Sequence, residues 1–198
     1  MKLVLASSNH GKLEELRGLL SDTGIELIAQ SDLGVTDADE TATTFVENAL
    51  IKARHASQLT GLPALADDSG ICVEALHGAP GLYSARYAGG HGDASANIDK
   101  LLDALKDVPD DRRGAHFYCV LVLLRHAHDP QPLLMEGEWR GRILPERRGS
   151  GGHGYDPVFF DPEHAQSAAE MELDLKNRLS HRGKALAQLR ERLQDALR

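Results

Sequence analysis

The sequence has few cysteines, no long apolar segment and no excess of positive charge. Its only cysteines, Cys72 and Cys119, each lie in an apolar run, which favours two small core residues over a disulfide or a metal pair. The longest apolar run, Phe117 to Leu124, is far shorter than the roughly 18 residues that suggest a membrane span. Lys and Arg number 22 against 30 Asp and Glu, a formal charge of -8, which argues against a non-specific nucleic-acid binder.

The length and the hydrophobic content of the chain are those of a globular protein. The chain has 198 residues, of which 41% are hydrophobic, and it shows no repeat, no low-complexity tract and no long linker. We therefore expect residues 1–198 to form a single domain, possible as one body or as two tightly joined lobes. The start of the chain, Met1–Ala6, is typical of a first strand and not of a signal peptide, so a cytoplasmic location is expected.

Hydrophobic periodicity predicts an alternation of strands and helices. Predicted helices cover 12–20, 44–58, 95–106, 165–171 and 181–197. Predicted strands cover 2–6, 25–29, 63–66, 71–76, 115–125, 133–139, 141–144 and 158–160. Strands mixed with helices, some of them joined as hairpins, indicate an α/β protein with a mixed sheet.

The most informative stretch is the acidic pair Asp67-Asp68, followed by Ser69 and Gly70. We expect a turn here between two short strands, because Asp, Ser and Gly favour turns. Adjacent carboxylates repel each other, so a cation near them is expected. Mg²⁺, which prefers oxygen ligands and is shared with phosphates, is the natural candidate. A plain surface turn is the alternative.

The loop before the first helix has the character of an anion site. Ser and Asn side chains can donate hydrogen bonds, a glycine lets the backbone approach a ligand, and a helix N-terminus attracts phosphate. A Lys at a helix start opposes the helix dipole, so local stability does not explain it. The candidate residues are Ser7, Ser8, Asn9, His10, Gly11 and Lys12. An ordinary strand-to-helix turn is the alternative.

The second predicted helix and the loop before it carry further polar and charged candidates. Asn48 and Lys52 are four residues apart and share a helix face. The preceding loop contains Asp39 and Glu40, and Glu40 could add a second oxygen ligand to a metal near Asp68. A solvated helix face and a solvated loop are the alternatives.

A glycine-rich loop, Gly149–Pro157, contains His153 and Tyr155. Its glycines indicate a backbone that passes close to another group, and the two aromatic rings could enclose a purine. Farther along, Ser180 is a candidate N-cap for the last helix. The basic residues His181 and Arg182 then oppose the helix dipole, which suggests a ligand. A flexible loop and a charged helix start are the alternatives.

Together these segments resemble the inosine triphosphate pyrophosphatases, also called non-standard purine NTP pyrophosphatases, and the bacterial members above all. The resemblance spans nearly the whole chain, in motifs that occur in the family order. The matching segments are residues 5–12, 44–53, 66–70, 78–87, 152–157 and 180–183.

The resemblance implies Mg²⁺-dependent hydrolysis of ITP, dITP and XTP to the monophosphate and pyrophosphate, which cleanses the nucleotide pool. It also implies a homodimer whose subunits have an elongated mixed-sheet fold of two lobes with a nucleotide cleft between them. Asp68 would be the proton acceptor and a metal ligand, with Glu40 or Asp39 as a further ligand. The implied substrate-binding residues are Ser7, Ser8, Asn9, His10, Gly11, Lys12, Lys52, Ser69, His153, Gly154, Tyr155, Asp156, Lys176, His181 and Arg182.

The base loop departs from the family pattern at one residue. His153 stands where members commonly have Phe, and a neutral imidazole stacks on a base with less area. Candidates for recognising the 6-oxo edge of the base are His181, Arg182 and the backbone around Tyr155. A pyrophosphatase for other modified triphosphates, methylated or pyrimidine, is the alternative enzyme. A nucleotide-binding regulator without turnover and a phosphatase that removes the terminal phosphate are the remaining alternatives.

Overall fold

The computed structural model describes residues 2–7, 10–21, 23–90 and 92–196. The strands in these ranges are β1 (Lys2–Leu5), β2 (Glu26–Ala29), β3 (Ala64–Val73), β4 (Gly114–Leu124), β5 (Leu133–Ile143), β6 (Phe159–Asp161) and β7 (Gln166–Ser167). The α-helices are α1 (His10–Leu20), α2 (Phe45–Thr60), α3 (Ala94–Ala104), α4 (Leu173–Leu179) and α5 (His181–Ala196). Short 3₁₀ helices occupy Gln30–Leu33, Glu74–Leu76, Gly81–Arg86 and Asp110–Arg112.

The described strands form one seven-stranded sheet in the order β2-β1-β3-β4-β5-β6-β7. Strand β1 runs parallel to β2 and to β3, with Val4 opposite Ala64. Strand β6 runs antiparallel to both β5 and β7. The prediction of an α/β protein with a mixed sheet is therefore confirmed.

The chain divides into two compact units. Unit 1 consists of Met1–Asp68, Cys119–Glu136 and Lys184–Arg198. Its core is built mainly of leucines, which α1 and α5 supply at helical spacing and β1, β3 and β4 supply from the sheet. Residues 119–124 of β4 are all buried, as their unbroken apolar run predicts.

Unit 2 consists of Ser69–Tyr118 and Gly137–Gly183. It has a separate core, in which Phe117, Trp139 and Phe159 form an aromatic cluster. In this unit β4 alternates between buried and half-buried residues, because only one face of the strand meets the core. Each compact unit thus has its own hydrophobic core, in agreement with two lobes; the cleft remains a prediction.

Helix α2 begins where its capping box predicts. Thr44 is the N-cap, and its Oγ1 accepts a hydrogen bond from the Glu47 backbone N–H at 3.3 Å while donating to Glu47 Oε2 at 2.6 Å. At the other end, Gly61 adopts a left-handed conformation with φ of 69° and donates its N–H to Ser57 O.

The predicted helix at 165–171 is wrong. Residues Gln166–Ser167 form strand β7, and the Ala168 N–H donates to Phe159 O at 2.9 Å. Pairing with β6 therefore overrides the helix propensity of this alanine-containing segment. The next helix is α4, which begins at Leu173 and carries Lys176.

In the described part of the chain, every helix is too short or too polar to cross a membrane.

Candidate functional site

Asp67 and Asp68 lie within strand β3 and not in a turn, so the predicted turn is wrong. The glycine that suggested a turn serves close packing instead. A Cβ on Gly70 would lie 2.3 Å from Gly81 O and 2.7 Å from Ser84 Oγ. Since successive side chains of a strand point to opposite faces, the two adjacent carboxylates are directed away from each other.

The buried carboxylate of Asp67 is paired with Lys12. The lysine Nζ lies 2.9 Å from Asp67 Oδ1 and 2.7 Å from Oδ2, and Asp67 is only 3% exposed. Helix α1 begins at His10, two residues earlier than predicted, so Lys12 is in its first turn. The ion pair with Asp67 offsets the unfavourable position of a cation at a helix N-terminus.

The carboxylate of Asp68 belongs to a second network, centred on Lys52 of α2. Lys52 Nζ lies 2.8 Å from Glu40 Oε1 and 3.1 Å from Asp68 Oδ1. All three side chains are largely buried, with 14% exposure for Lys52, 28% for Glu40 and 12% for Asp68. One lysine therefore holds two carboxylates in a region of low water content, where charge interactions are strong.

Asn48 fixes the loop that carries Glu40. Its side chain is buried, and its Oδ1 accepts a hydrogen bond from the Ala42 backbone N–H at 3.0 Å. Asn48 and Lys52 of α2 therefore do not form a solvated stripe. Glu40 reaches the Lys52 network, whereas its neighbour Asp39 is exposed.

One carboxylate oxygen of Asp68 is not used in the Lys52 network. Its Oδ2 is buried and has no hydrogen-bond partner among the described residues. Burial raises the pKa of Asp68, Lys52 lowers it, and Glu40 and Asp67 raise it, so that the pKa lies above its ordinary value of 3.8. Burial alone would lower the pKa of Lys52, but the nearby carboxylates Asp68, Asp67 and Glu40 outweigh that effect and raise it. The arrangement suits a carboxylate that accepts a proton or binds a cation.

In unit 2, the glycine-rich loop is organised around Asp156. This residue is 4% exposed, and its Oδ2 accepts hydrogen bonds from the His153 backbone N–H, at 2.7 Å, and from Lys176 Nζ. A Cβ on Gly152, whose φ is 72°, would lie 2.1 Å from the same oxygen. The close approach that the glycine pattern predicts is therefore to this carboxylate. The imidazole-bearing His153 is exposed.

The ring of Tyr155 is part of the core of unit 2. It is buried, and its hydroxyl donates to Ser84 O at 2.8 Å. Burial, together with nearby Tyr87, raises the pKa of Tyr155. The hypothesis that the two aromatic rings of the loop enclose a purine is therefore wrong for this ring, which leaves its backbone for base recognition.

The start of α5 has the predicted cap. Ser180 Oγ accepts a hydrogen bond from the Gly183 N–H at 3.0 Å, which places His181 and Arg182 in the first helical turn. Arg182 Nη2 lies 3.5 Å from Ser69 Oγ, at the outer limit of a hydrogen bond. Two predicted substrate-binding residues are thereby brought together.

Sequence reasoning missed Phe117 as a neighbour of this group. Its ring stacks on His181, with ring centroids 4.8 Å apart and an interplanar angle of 11°. The signal was hidden because Phe117 opens the long apolar run of β4, which looked like uniform core.

The chain is similar to known proteins over nearly its whole length. A profile of the Ham1 family matches residues 3–192. The dITP/XTP pyrophosphatase of Xanthomonas campestris pv. campestris (strain 8004) is 64% identical over 191 residues, which are 96% of each protein. The chain belongs to the Ham1 family. The dITP/XTP pyrophosphatase of Shigella flexneri is 57% identical and covers 100% of this chain and 98% of that protein.

Solved structures agree with this membership. A Ham1-family structure, that of a HAM1 protein from Coxiella burnetii, matches with a TM-score of 0.95 and 49% identity. The match covers 99% of this chain and 100% of that one. The resemblance drawn from these motifs is thus confirmed at the level of the family and of the fold.

For this Ham1 protein the predicted site residues fall into two groups, one in each unit. Unit 1 pairs Lys12 with Asp67, and Lys52 with Glu40 and Asp68. Unit 2 joins His153 and Lys176 through Asp156, and brings Arg182 to Ser69.

The structure describes only some of the residues predicted to bind the triphosphate. Ser7 is half-buried and follows β1, and His10 and Gly11 begin α1. Ser8 and Asn9 lie outside the described residues. Their predicted contacts with the triphosphate stay a prediction.

Proposed function

We propose that this protein hydrolyses the non-standard purine nucleoside triphosphates ITP, dITP and XTP to the monophosphate and pyrophosphate. Membership in the Ham1 family and the names of its curated relatives support this activity. The observation that carries the chemistry is Asp68 Oδ2, which is buried and has no hydrogen-bond partner within the described ranges, while Oδ1 is held by Lys52.

The residues around Asp68 fit a divalent cation of the Mg²⁺ type. Mg²⁺ takes oxygen ligands, and Asp68 Oδ2 and the carboxylate of Glu40 meet that requirement. We assign the metal to Asp68 and Glu40, since Asp39 is exposed and outside the Lys52 network. When bound, Mg²⁺ would neutralise phosphate charge and polarise a phosphoryl oxygen.

The protein's own contribution to the reaction is a base and a set of cations. Asp68 accepts the proton of the water that attacks the α-phosphorus, the bond between the α- and β-phosphates breaks, and pyrophosphate leaves. The raised pKa of Asp68 makes it a better base than an exposed carboxylate. Lys12, Lys52 and the start of α1 offset the triphosphate charge, with Lys176 as a further cation.

Base recognition is assigned to residues of unit 2. Hypoxanthine and xanthine present a 6-oxo acceptor and an N1–H donor, and adenine reverses that edge. His181, Arg182 and the backbone around Tyr155 are the groups proposed to recognise the oxo edge, with Ser69 and Lys176 as further contacts. A site with fixed polar groups leaves them unpaired when adenine binds, which can reduce kcat/KM by up to ~10⁴-fold.

Product analysis with ITP tests the proposal. With Mg²⁺ present, we expect IMP and pyrophosphate in equal amounts, and ATP turned over far more slowly than ITP. Release of inorganic phosphate and IDP would identify a phosphatase instead, and binding without turnover would identify a regulator. Faster turnover of methylated or pyrimidine triphosphates would favour the alternative enzyme, and equal rates with ATP and ITP would refute recognition of the oxo edge.

The resemblance extends the proposal to a homodimer that acts in the cytoplasm on the nucleotide pool. The molar mass in solution, measured by light scattering, checks the first part. A mass near that of one 21.5 kDa chain would contradict it.

A further inference from the structure

We propose that Phe117 is a positioning residue that fixes the imidazole plane of His181 for recognition of the base. This inference rests on the proposed function, because it assigns His181 to the base. It extends that function to a residue which touches no proposed ligand and acts only through its neighbour.

The contact between the two rings has the geometry of a stack. Their centroids are 4.8 Å apart and their planes are within 11° of parallel. Ring pairs of this kind prefer centroid separations of about 4.5–7 Å, and their attraction depends on the relative orientation of the planes. Phe117 therefore restrains the rotation of the imidazole and does more than fill space beside it.

The ring of Phe117 is itself held from behind. It is only 8% exposed, and it packs on Phe159 at 4.6 Å with an interplanar angle of 51°. Trp139 packs on Phe159 at 4.9 Å, and its Nε1–H donates to buried Asp161 Oδ2 at 2.8 Å. A ring with neighbours tilted against it cannot turn without moving the whole cluster, so it is a rigid platform.

The backbone of His181 is fixed independently. Ser180 caps α5 through its hydrogen bond to the Gly183 N–H. The cap sets the position of the His181 Cα, and Phe117 sets the plane of its ring. Together they fix the plane in which the imidazole presents its ring edge, and a fixed plane favours discrimination by hydrogen bonds.

The test compares one substitution at two sites of the aromatic cluster. Phe117→Leu removes the aromatic ring that stacks on His181. Phe159→Leu makes the same substitution in the same core, at a ring that does not stack on the imidazole. We expect both variants to be destabilised. Phe117→Leu should also lower kcat/KM for ITP relative to ATP by about 2- to 12-fold, the range of an aromatic pair contact. Phe159→Leu leaves the Phe117 ring on the imidazole and removes only part of the support of that ring, so it should lower the ratio less than Phe117→Leu does.

Two further measurements complete the experiment. Phe117→Tyr keeps the flat face and should restore the parent ITP-to-ATP ratio. In the NMR spectrum of the unaltered protein, the ring C–H signals of His181 should be shifted upfield by the Phe117 ring current, and Phe117→Leu should remove that shift. The NMR measurement needs no turnover, so it tests the stack even if the proposed function fails.

Three results would overturn the inference. They are an unshifted His181 signal in the unaltered protein, an equal loss of ITP preference in both leucine variants, and an unchanged preference in Phe117→Leu. If Phe117→Leu fails to fold, the parent spectrum and the Phe117→Tyr variant still decide. The absence of pyrophosphate release from ITP by the unaltered protein would instead refute the proposed function.

Discussion

Asp68 in unit 1 and Asp156 in unit 2 are both buried carboxylates paired with a lysine, but their remaining contacts differ. Asp156 Oδ2 accepts hydrogen bonds from both the His153 N–H and Lys176. Asp68 Oδ2 accepts none from the described residues. A buried carboxylate oxygen with partners organises the protein around it, whereas a buried oxygen without a partner among the described residues needs a further explanation.

The same comparison separates the two halves of the acidic pair. Both oxygens of Asp67 lie within 2.9 Å of Lys12 Nζ, so its negative charge is compensated inside the protein. Asp68 shares Lys52 with Glu40 through its Oδ1, and its Oδ2 has no hydrogen-bond partner in the described part of the chain. A buried ion pair alone is weak evidence for catalysis, so the unsatisfied oxygen of Asp68 is the informative feature.

The largest expected effect is that of Asp68→Asn. The amide has nearly the same size and still offers an oxygen to Lys52, but it cannot accept a proton at neutral pH. We expect kcat for ITP to fall by at least ~10²-fold, the low end for loss of a general base. The free energy of unfolding should change little or rise, because a poorly compensated buried charge is removed. Steady-state kinetics and urea unfolding measure the two effects.

Asp156→Asn is the matched control for this change. It weakens two hydrogen bonds to a buried carboxylate, and we expect a loss of about 1.5–3 kcal/mol in unfolding free energy. Its kcat should fall less than that of Asp68→Asn. Near-normal turnover in Asp68→Asn would remove Asp68 from the role of base, and equal kcat losses in the two variants would erase the distinction between the two acids.

The part of this site that could be predicted from the sequence is the part encoded by residue type at short range. The capping box of α2, the N-cap of α5 and the lysine at the start of α1 each depend on a few neighbouring residues. The family motifs added Asp68 and Glu40 as candidates for proton transfer and metal binding, and these roles stay proposals. These predictions needed no knowledge of which distant segments meet.

The failures within the site come from contacts with other segments of the chain. Gly70 looked like a turn residue, but it is required because Gly81 O approaches its Cα closely. Tyr155 looked like a base-stacking ring, but Ser84 and the core of unit 2 hold it. The stack of Phe117 on His181 joins residues 64 positions apart, for which no local pattern exists. Tertiary packing of this kind overrides propensity.

The organising role of Asp156 can be tested next with two glycines of the same loop. Gly152 and Gly154 have φ angles of 72° and 60°, so alanine should cost about 1–2 kcal/mol of stability at either position. At Gly152 the new Cβ would also lie 2.1 Å from Asp156 Oδ2, whereas at Gly154 there is open space. We expect Gly152→Ala to cost about 1–3 kcal/mol more than Gly154→Ala, as measured by urea unfolding. Equal costs would mean that Asp156 yields easily and does not fix the loop.

The smallest expected effect is a shift in the pH dependence of kcat/KM, and it tests whether Asp68 is the group with the raised pKa. The pKa of this carboxyl is above 3.8, and the base is active only when ionised. The acid limb of kcat/KM should therefore lie at higher pH than for an ordinary carboxylate. Lys52→Gln removes the cation that lowers this pKa, so the limb should move to higher pH. Glu40→Gln removes a repelling charge, so the limb should move to lower pH.

The pH dependence of stability tests the raised pKa of Asp68 independently of the kinetics. Between 3.8 and the raised folded-state pKa of Asp68, the folded protein binds more protons than the unfolded chain. This carboxyl therefore makes the unfolding free energy fall as the pH rises through that window. Asp68→Asn lacks this contribution, so its stability relative to the parent should increase from pH 4 to pH 7. If the stability difference is constant over this range, or if both glutamine variants shift the acid limb in one direction, the raised pKa is not that of Asp68.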